Sequence, residues 1–303
     1  MTSLAHDDVG TEPVDTPFRR LAADFLASTQ ATVALGVLLA IILAALAAPL
    51  IAPQNPYDLT QIDIMDSKLP PGELGLDGFH YLLGSDGQGR DMLSAIIFGL
   101  RTSLGVGVLS GIAALAIGMA AGLAAAYFGG RVDAVIMRVV DLQLSFPAIL
   151  VALILLAMLG QGTDKIIFAL IVVQWAYYAR TVRGSALVER RKEYIEAARC
   201  LALSDARIVF RHLMPNCLPP LIVVGTVQVA HAIALEATLS FLGIGLPITE
   251  PSLGLLIANG YEYLLSGVYW ISFFPGIALL ITIVSINVVG DHLRDILNPR
   301  LQK

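Results

Sequence analysis

Five long stretches of this chain carry no Asp, Glu, Lys or Arg, and they decide what it can fold into. There are 33 residues between Asp24 and Asp58, 29 between Arg101 and Arg131, and 22 between Asp141 and Asp164. A further 24 separate Arg211 from Glu236, and 28 separate Glu262 from Asp291. A helix crossing a bilayer needs ~20 mostly apolar residues, so each run can hold one crossing. A sixth run, Ile166 to Ala179, has 14 residues. With Gly162 and Thr163 ahead of it and the stem of Arg180 snorkelling behind, it also reaches spanning length. The expected fold is therefore an all-α integral membrane protein, with transmembrane helices at residues 29–52, 102–128, 138–160, 163–182, 216–246 and 269–291. The fifth is long for one crossing and is expected to break near Gly243-Ile244-Gly245.

Composition points the same way. Hydrophobic residues make up 56% and charged residues 14%, against about 25% charged in soluble domains. The net charge of −5 comes without a basic patch, which argues against a nucleic-acid partner and leaves membrane lipid as the medium. The first apolar run is too long for a signal peptide, follows an acidic tail (Asp7, Asp8, Glu12, Asp15) and ends without a small-residue cleavage site. An uncleaved first helix is expected. Cys200 and Cys217 match no metal-ligand spacing and are read as reduced thiols.

Basic residues orient the helices. With six crossings, 15 Lys and Arg fall on one face and four (Lys68, Arg90, Arg101, Lys165) on the other. Both tails, residues 1–28 and 292–303, are expected in the cytoplasm, with residues 53–101 outside and a core of helices over 102–291. Eight of the basic residues, Arg180 to Arg211, are counted to the connection after the fourth helix, six of them in a cytoplasmic loop over 186–215 that is longer than a connection requires.

That loop has a pattern. Tyr194, Ala197, Ala198 and Leu201 fall at i, i+3, i+4 and i+7 and predict an apolar stripe on a short helix, with Glu196 and Arg199 among its polar residues. Ser204 is placed to cap a second helix from Asp205 to Leu213, and Pro215 to close the unit. From periodicity alone, the pair can lie on lipid headgroups or dock against a protein. Glu196-Ala197-Ala198, then Ser204 and His212-Leu213-Met214-Pro215-Asn216, resembles the "EAA" coupling loop of ABC importer permeases.

The resemblance runs from about Pro53 to Leu301. It includes His80-Tyr81-Leu82-Leu83-Gly84-Ser85-Asp86, Gly89-Arg90-Asp91-Met92-Leu93-Ser94, Tyr127-Phe128-Gly129-Gly130, Ser145-Phe146-Pro147, Phe274-Pro275-Gly276 and Asn287 to Asp295. These segments resemble the C-type permease of dipeptide, oligopeptide and nickel transporters. The resemblance implies a type I ABC importer permease fold and a loop in which Tyr194, Glu196, Ala197, Ala198, Arg199, Leu201, Ala202 and Ser204 meet an ATPase. It also implies a second homologous permease, two ABC ATPase subunits and an extracytoplasmic solute-binding protein. Peptides are the expected cargo, with nickel complexes, opines or short glycans as alternatives. The family places Gly where this chain has Ala202; a left-handed turn there would cost Ala roughly 1 kcal/mol.

No cofactor is expected in this chain, and ATP and Mg are expected on the partner ATPases. A P-loop needs Gly before its Lys, and the four lysines follow Ser67, Asp164, Arg191 and Gln302. Gly107, Gly111, Gly118 and Gly122 form two in-phase GxxxG pairs, expected to pack against another helix. Glu236 is the one carboxylate inside a helical run; a start near Asn216 puts it about 30 Å along the helix, at the outer boundary. Gln228 and Gln143 are candidate pathway residues, and His231 is expected to be a hydrogen-bonded packing residue. A secondary ion-coupled transporter would need no docking loop and usually carries more midplane charge. A membrane-embedded enzyme would need a nucleophile–base constellation, which the scattered histidines His6, His80, His212, His231 and His292 do not supply.

Overall fold

A computed structural model describes residues 17–58, 60–247 and 249–297. The acidic tail residues Asp7, Asp8, Glu12 and Asp15, His6, and the terminal Arg300 and Lys303 lie outside the described residues. The helices are α1 (Pro17–Leu26), α2 (Thr29–Leu46), α3 (Ala48–Ile51), α4 (Met92–Phe128), α5 (Gly130–Ser145), α6 (Ala148–Leu159) and α7 (Thr163–Glu189). They continue with α8 (Glu193–Cys200), α9 (Asp205–Arg207), α10 (Met214–Phe241), α11 (Leu253–Tyr261) and α12 (Trp270–Leu297). A two-stranded antiparallel pair, β1 (Glu73–Leu74) and β2 (His80–Tyr81), sets Glu73 opposite Tyr81.

Five helical stretches are long and apolar enough to cross a membrane: Thr29–Leu46, Met92–Phe128, Thr163–Glu189, Asp205–Phe241 and Trp270–Leu297. The pair α5 and α6 makes a sixth if its two arms count as one span. The chain is thus an all-α membrane protein, but several boundaries differ from the sequence expectation. The helix expected at 102 begins at Met92, because Asp91 caps it by accepting bonds from Ser94 N at 2.8 Å and Ser94 Oγ at 2.6 Å. Counting charges hid this start, since Arg101 interrupts the apolar run without interrupting the helix.

The single helix expected over 138–160 is two helices bent by 90°. Phe146, the residue before Pro147, is extended at φ −95° and ψ 140°, as the proline ring demands. The fourth crossing runs to Glu189 rather than 182. Arg180 ion-pairs with Asp141 of α5 instead of snorkelling, and Arg183 grips Asp133 through two bonds of 2.5 and 2.6 Å. The sixth crossing extends to Leu297 rather than 291. The first ends at Leu46 rather than 52; the chain turns at Ala47 before the short α3.

Pro215 does not close the loop unit. It lies just after a π-helical stretch, Ile208–Leu213, and the helix runs on through it, so that Asp205–Phe241 is one helical length. α10 ends at Phe241 instead of 246. The Gly243 N–H bonds to Ser240 O and the Ile244 N–H to Leu239 O, with Gly243 at φ +75°. This is a Schellman stop built on glycine.

The core is the mutual packing of α4, α7 and α10, and the α4–α7 contact is the most extensive in the fold. A Cβ on Gly118 would fall 2.5 Å from the Trp175 carbonyl, and one on Gly122 2.5 Å from the Ala179 carbonyl, so both glycines let α7 approach. Gly107 and Gly111 lie against Ile233 and Val229 of α10. The in-phase pairs thus face two different helices.

At the end of the bundle remote from α8, residues 53–91 form a folded cap. Gln54 Oε1 accepts from Asp91 N at 2.7 Å and Gln54 Nε2 donates to Gln61 O at 2.7 Å. Trp270 Nε1, at the start of α12, donates to Ser85 O at 3.1 Å.

Candidate functional site

The loop between α7 and α10 is built as a unit standing on the end of α4. Ile195 and Ala198 of α8 are buried against Tyr127, Ile208 and Leu213. The expected stripe of Tyr194, Ala197, Ala198 and Leu201 is therefore split. Ala198 turns inward beside Ile195, which the periodicity reading did not select, while Tyr194, Ala197 and Leu201 face outward with Glu196 and Arg199. Leu201 is 74% exposed and Phe210 63%. Both leave apolar side chain open on the surface of the unit.

Ala202 settles the turn. The Ala202 N–H bonds to Arg199 O and the Leu203 N–H to Ala198 O, which is the Schellman pattern, and Ala202 holds φ +53°. The left-handed conformation that glycine adopts at the end of α10 is kept here at the expense of strain. Ser204 occupies the N-cap position of α9, extended at φ −63° and ψ 146°, but its side chain makes no capping bond, contrary to expectation. Its carbonyl instead accepts from Ile208 N.

Side chains anchor the unit. The Tyr127 hydroxyl donates to Asp205 Oδ1 at 2.5 Å, and the Arg199 guanidinium lies 5.8 Å from the Tyr127 ring centre. Arg190 Nη1 donates to Ala126 O at 2.8 Å, satisfying a carbonyl at the last turn of α4. Tyr194 donates to Glu189 Oε2 at 2.8 Å. Partial burial, and then that carboxylate, push the Tyr194 phenol up to about 12. Cys200 is exposed and Cys217 buried, both as free thiols.

The candidate pathway residues are not brought together. Glu236 is fully buried, accepting from Ser103 Oγ at 2.7 Å and Ser240 Oγ at 2.8 Å, with Ser252 also in reach. It joins α4, α10 and the start of α11. Gln228 is buried, and its carbonyl accepts from Gln174 Nε2 at 3.3 Å. Gln143 is half-buried on α5, which packs on α4 and α7.

His231 is exposed and makes no hydrogen bond among the described residues, so it is not the packing residue expected. It lies on an open stripe of α10 with Val227, Thr238 and Phe241. That helix borders two clefts. One, of about 570 Å³, is lined by Pro219, Pro220, Val224, Val227, Asp291 and Arg294; the other, of about 690 Å³, by Asp86, Gln161, Phe241, Gly243, Asn259 and Glu262. Asp291 and Arg294 thus line a cleft, while the His292 ring packs edge-on against Phe25 at 5.0 Å.

The profile of the family described as "Binding-protein-dependent transport system inner membrane component" matches residues 114–303. The chain belongs to that family. A second profile, the N-terminal TM domain of oligopeptide transport permease C, matches residues 16–71, which makes this inner membrane component a C-type ABC permease subunit. A Brucella suis biovar 1 protein named as a peptide transport system permease is 44% identical over 74% of this chain and 75% of its own. The di/tripeptide transport system permease protein DppC of Pseudomonas aeruginosa is 35% identical over 77% of each chain. The dipeptide transport system permease protein DppC of Bacillus subtilis is 34% identical over 82% of this chain and 76% of its own.

A chain of the MetNI methionine ABC transporter in an inward-facing conformation shares the permease's fold. Its TM-score is 0.55 at 22% identity, over 68% of this chain and 98% of that one. Membership in an ABC importer family implies an ATPase and a solute-binding protein as partners, and does not favour the ion-coupled transporter.

Proposed function

We propose that this permease is one of two homologous membrane subunits of an ATP-driven importer of short peptides. Two separate ATPase subunits bind ATP and Mg, and an extracytoplasmic binding protein delivers the cargo. The observation that carries the reading is the open apolar face of α8, where Tyr194, Ala197 and Leu201 stand exposed beside Ile195 and Ala198, which hold the helix to the bundle. Small Ala197 lets another backbone approach closely, and Glu196 and Arg199 flank it with both signs of charge. The 15-to-4 distribution of Lys and Arg supports cytoplasmic termini, with residues 53–91 outside.

The exposed stripe of α10 supports the second permease. A histidine at mid-helix is costly against lipid and is tolerated where it meets protein or a water-filled path. His231, Thr238 and the two clefts along α10 therefore belong to the face that the partner permease completes. Peptide cargo is supported by the names of the Brucella, Pseudomonas and Bacillus relatives over nickel complexes, opines or short glycans.

The test is uptake of labelled Ala-Ala by proteoliposomes holding the assembled transporter and its binding protein. Uptake that requires ATP and survives a proton uncoupler is expected. Uptake of a nickel complex but no peptide would overturn the cargo, and proton-driven uptake without ATP would overturn the mechanism.

A further inference from the structure

We infer that the Tyr127–Asp205 hydrogen bond is the joint through which movement of the α8–α9 loop is passed to α4, and through α4 to the opposite face of the membrane. This rests on the reading of the loop as an ATPase-docking unit.

The loop has two covalent exits: the first is broken, and the second stays helical but leaves the α-helical pattern. Between α7 and α8 the chain leaves the helix at Arg190 and does not resume it until Glu193. Between α9 and α10 the α-helical bonding gives way to the π-helical stretch Ile208–Leu213. The broken α7–α8 exit is no rigid lever, whereas α10 remains joined to the second arm, so the question is what joins the loop to α4.

α4 has no such break. It runs uninterrupted for 37 residues, roughly 55 Å at the α-helical rise. Its last turn meets the loop through the Tyr127 side chain and through the Ala126 carbonyl, which accepts from Arg190 Nη1 where the chain leaves α7. Tyr127 donates to Asp205 at the start of the second arm, and its ring, buried with Ile195 and Ile208, lies under Arg199 of the first arm. One side chain therefore holds both arms.

At the far end of the same helix, Ser103 bonds the buried Glu236, and Asp91 and Ser94 tie α4 to Gln54 of the cap. A displacement of the loop that carries Asp205 thus pulls on a rod whose other end is fastened to the outer face. Tyr127 and Asp205 are positioning residues; neither needs to touch cargo or nucleotide.

The experiment is hydrogen–deuterium exchange on the assembled transporter, with and without ATP plus vanadate, comparing wild type with Tyr127→Phe and Asp205→Ala. Tyr127→Phe keeps the ring and its packing and removes only the donor. Asp205→Asn keeps an acceptor and serves as the conservative variant. In wild type, nucleotide should change exchange both in α8 and in residues 92–104 of α4. In Tyr127→Phe and Asp205→Ala the α8 response should remain and the 92–104 response should be lost; Asp205→Asn should restore it.

A 92–104 response equal to wild type in Tyr127→Phe overturns the joint. So does its loss in one of these two variants but not the other. Loss of the α8 response in both would mean that the bond builds the loop and transmits nothing. A wild-type complex in which no ATPase subunit is present, or whose α8 does not respond, removes the docking reading itself, and the joint with it. No transported solute is needed, so an error in the cargo leaves this result unaffected.

Discussion

Ser103 and Glu236, 133 residues apart in sequence, share a 2.7 Å hydrogen bond in a site sealed from solvent, and with it α4 is fastened to α10. Ser240 adds a second bond at 2.8 Å from the next turn of α10. Replacing the carboxylate by Ala strands buried hydroxyls, at about 1–3 kcal/mol for a lost buried partner. Glu236→Ala should lower the detergent melting temperature clearly, and Ser103→Ala by less. Equal melting of wild type and Glu236→Ala would show that the cluster stabilises nothing.

Ala202 holds φ +53° at the Schellman stop of α8, where Gly243 does the same for α10 without strain. Ala202→Gly should stabilise the loop by roughly 1 kcal/mol, since glycine enters that region freely. Ala202→Val, with a branched Cβ, should destabilise it further. Thermal unfolding, read together with proteolysis between α8 and α9, checks both directions.

Gly118 is a contact, not a hinge. Its missing Cβ leaves room for the Trp175 carbonyl at 2.5 Å, so Gly118→Ala forces α4 and α7 apart at a cost of about 1–3 kcal/mol. Gly105, with open space where a Cβ would stand, is the control. Gly105→Ala should be neutral or slightly stabilising. Unfolding in a graded detergent series reads the difference, and identical curves would contradict the packing.

Tyr81, in the cap, is buried, and burial first and the Asp66 carboxylate next push its phenol up to about 12 from an ordinary 10. The folded cap holds the proton more tightly than the unfolded chain. Its contribution to stability is full below pH 10 and is lost as pH rises through about 12. Tyr81→Phe should therefore flatten the alkaline loss of cap protection in hydrogen exchange. A loss unchanged by the substitution would assign it to another group.

The crossings were legible because lipid tolerates few charges, so the charge-free runs mark them nearly one for one. Their ends were not. α4 starts at Met92 because Asp91 and Ser94 form a cap, a signal of local geometry that charge counting passes over. Pro147 was visible as a residue, yet its 90° bend disappeared inside a run apolar on both sides. In α8 the 3.6-residue period selected an apolar face but could not tell which alanine faces home, and Ile195 decided it. The cap was hidden for another reason. Its bonds join residues far apart, such as Trp270 and Ser85 at a separation of 185, and no local pattern announces them. His231 was expected to be packed, yet it stands exposed on α10, because helical periodicity in an all-apolar run does not say which face the bundle covers.

The most direct measurement is co-purification of the ATPase subunits with the tagged permease from mild detergent, comparing wild type with Ala197→Glu. Ala197 is exposed on the open face of α8, whereas Ala198 is packed inward, so a charge at 197 burdens the docking surface and spares the fold. Wild type should bring ATPase activity with it. Ala197→Glu should lose that activity while melting like wild type. Full ATPase activity recovered with Ala197→Glu would contradict the assignment of α8 as the coupling helix.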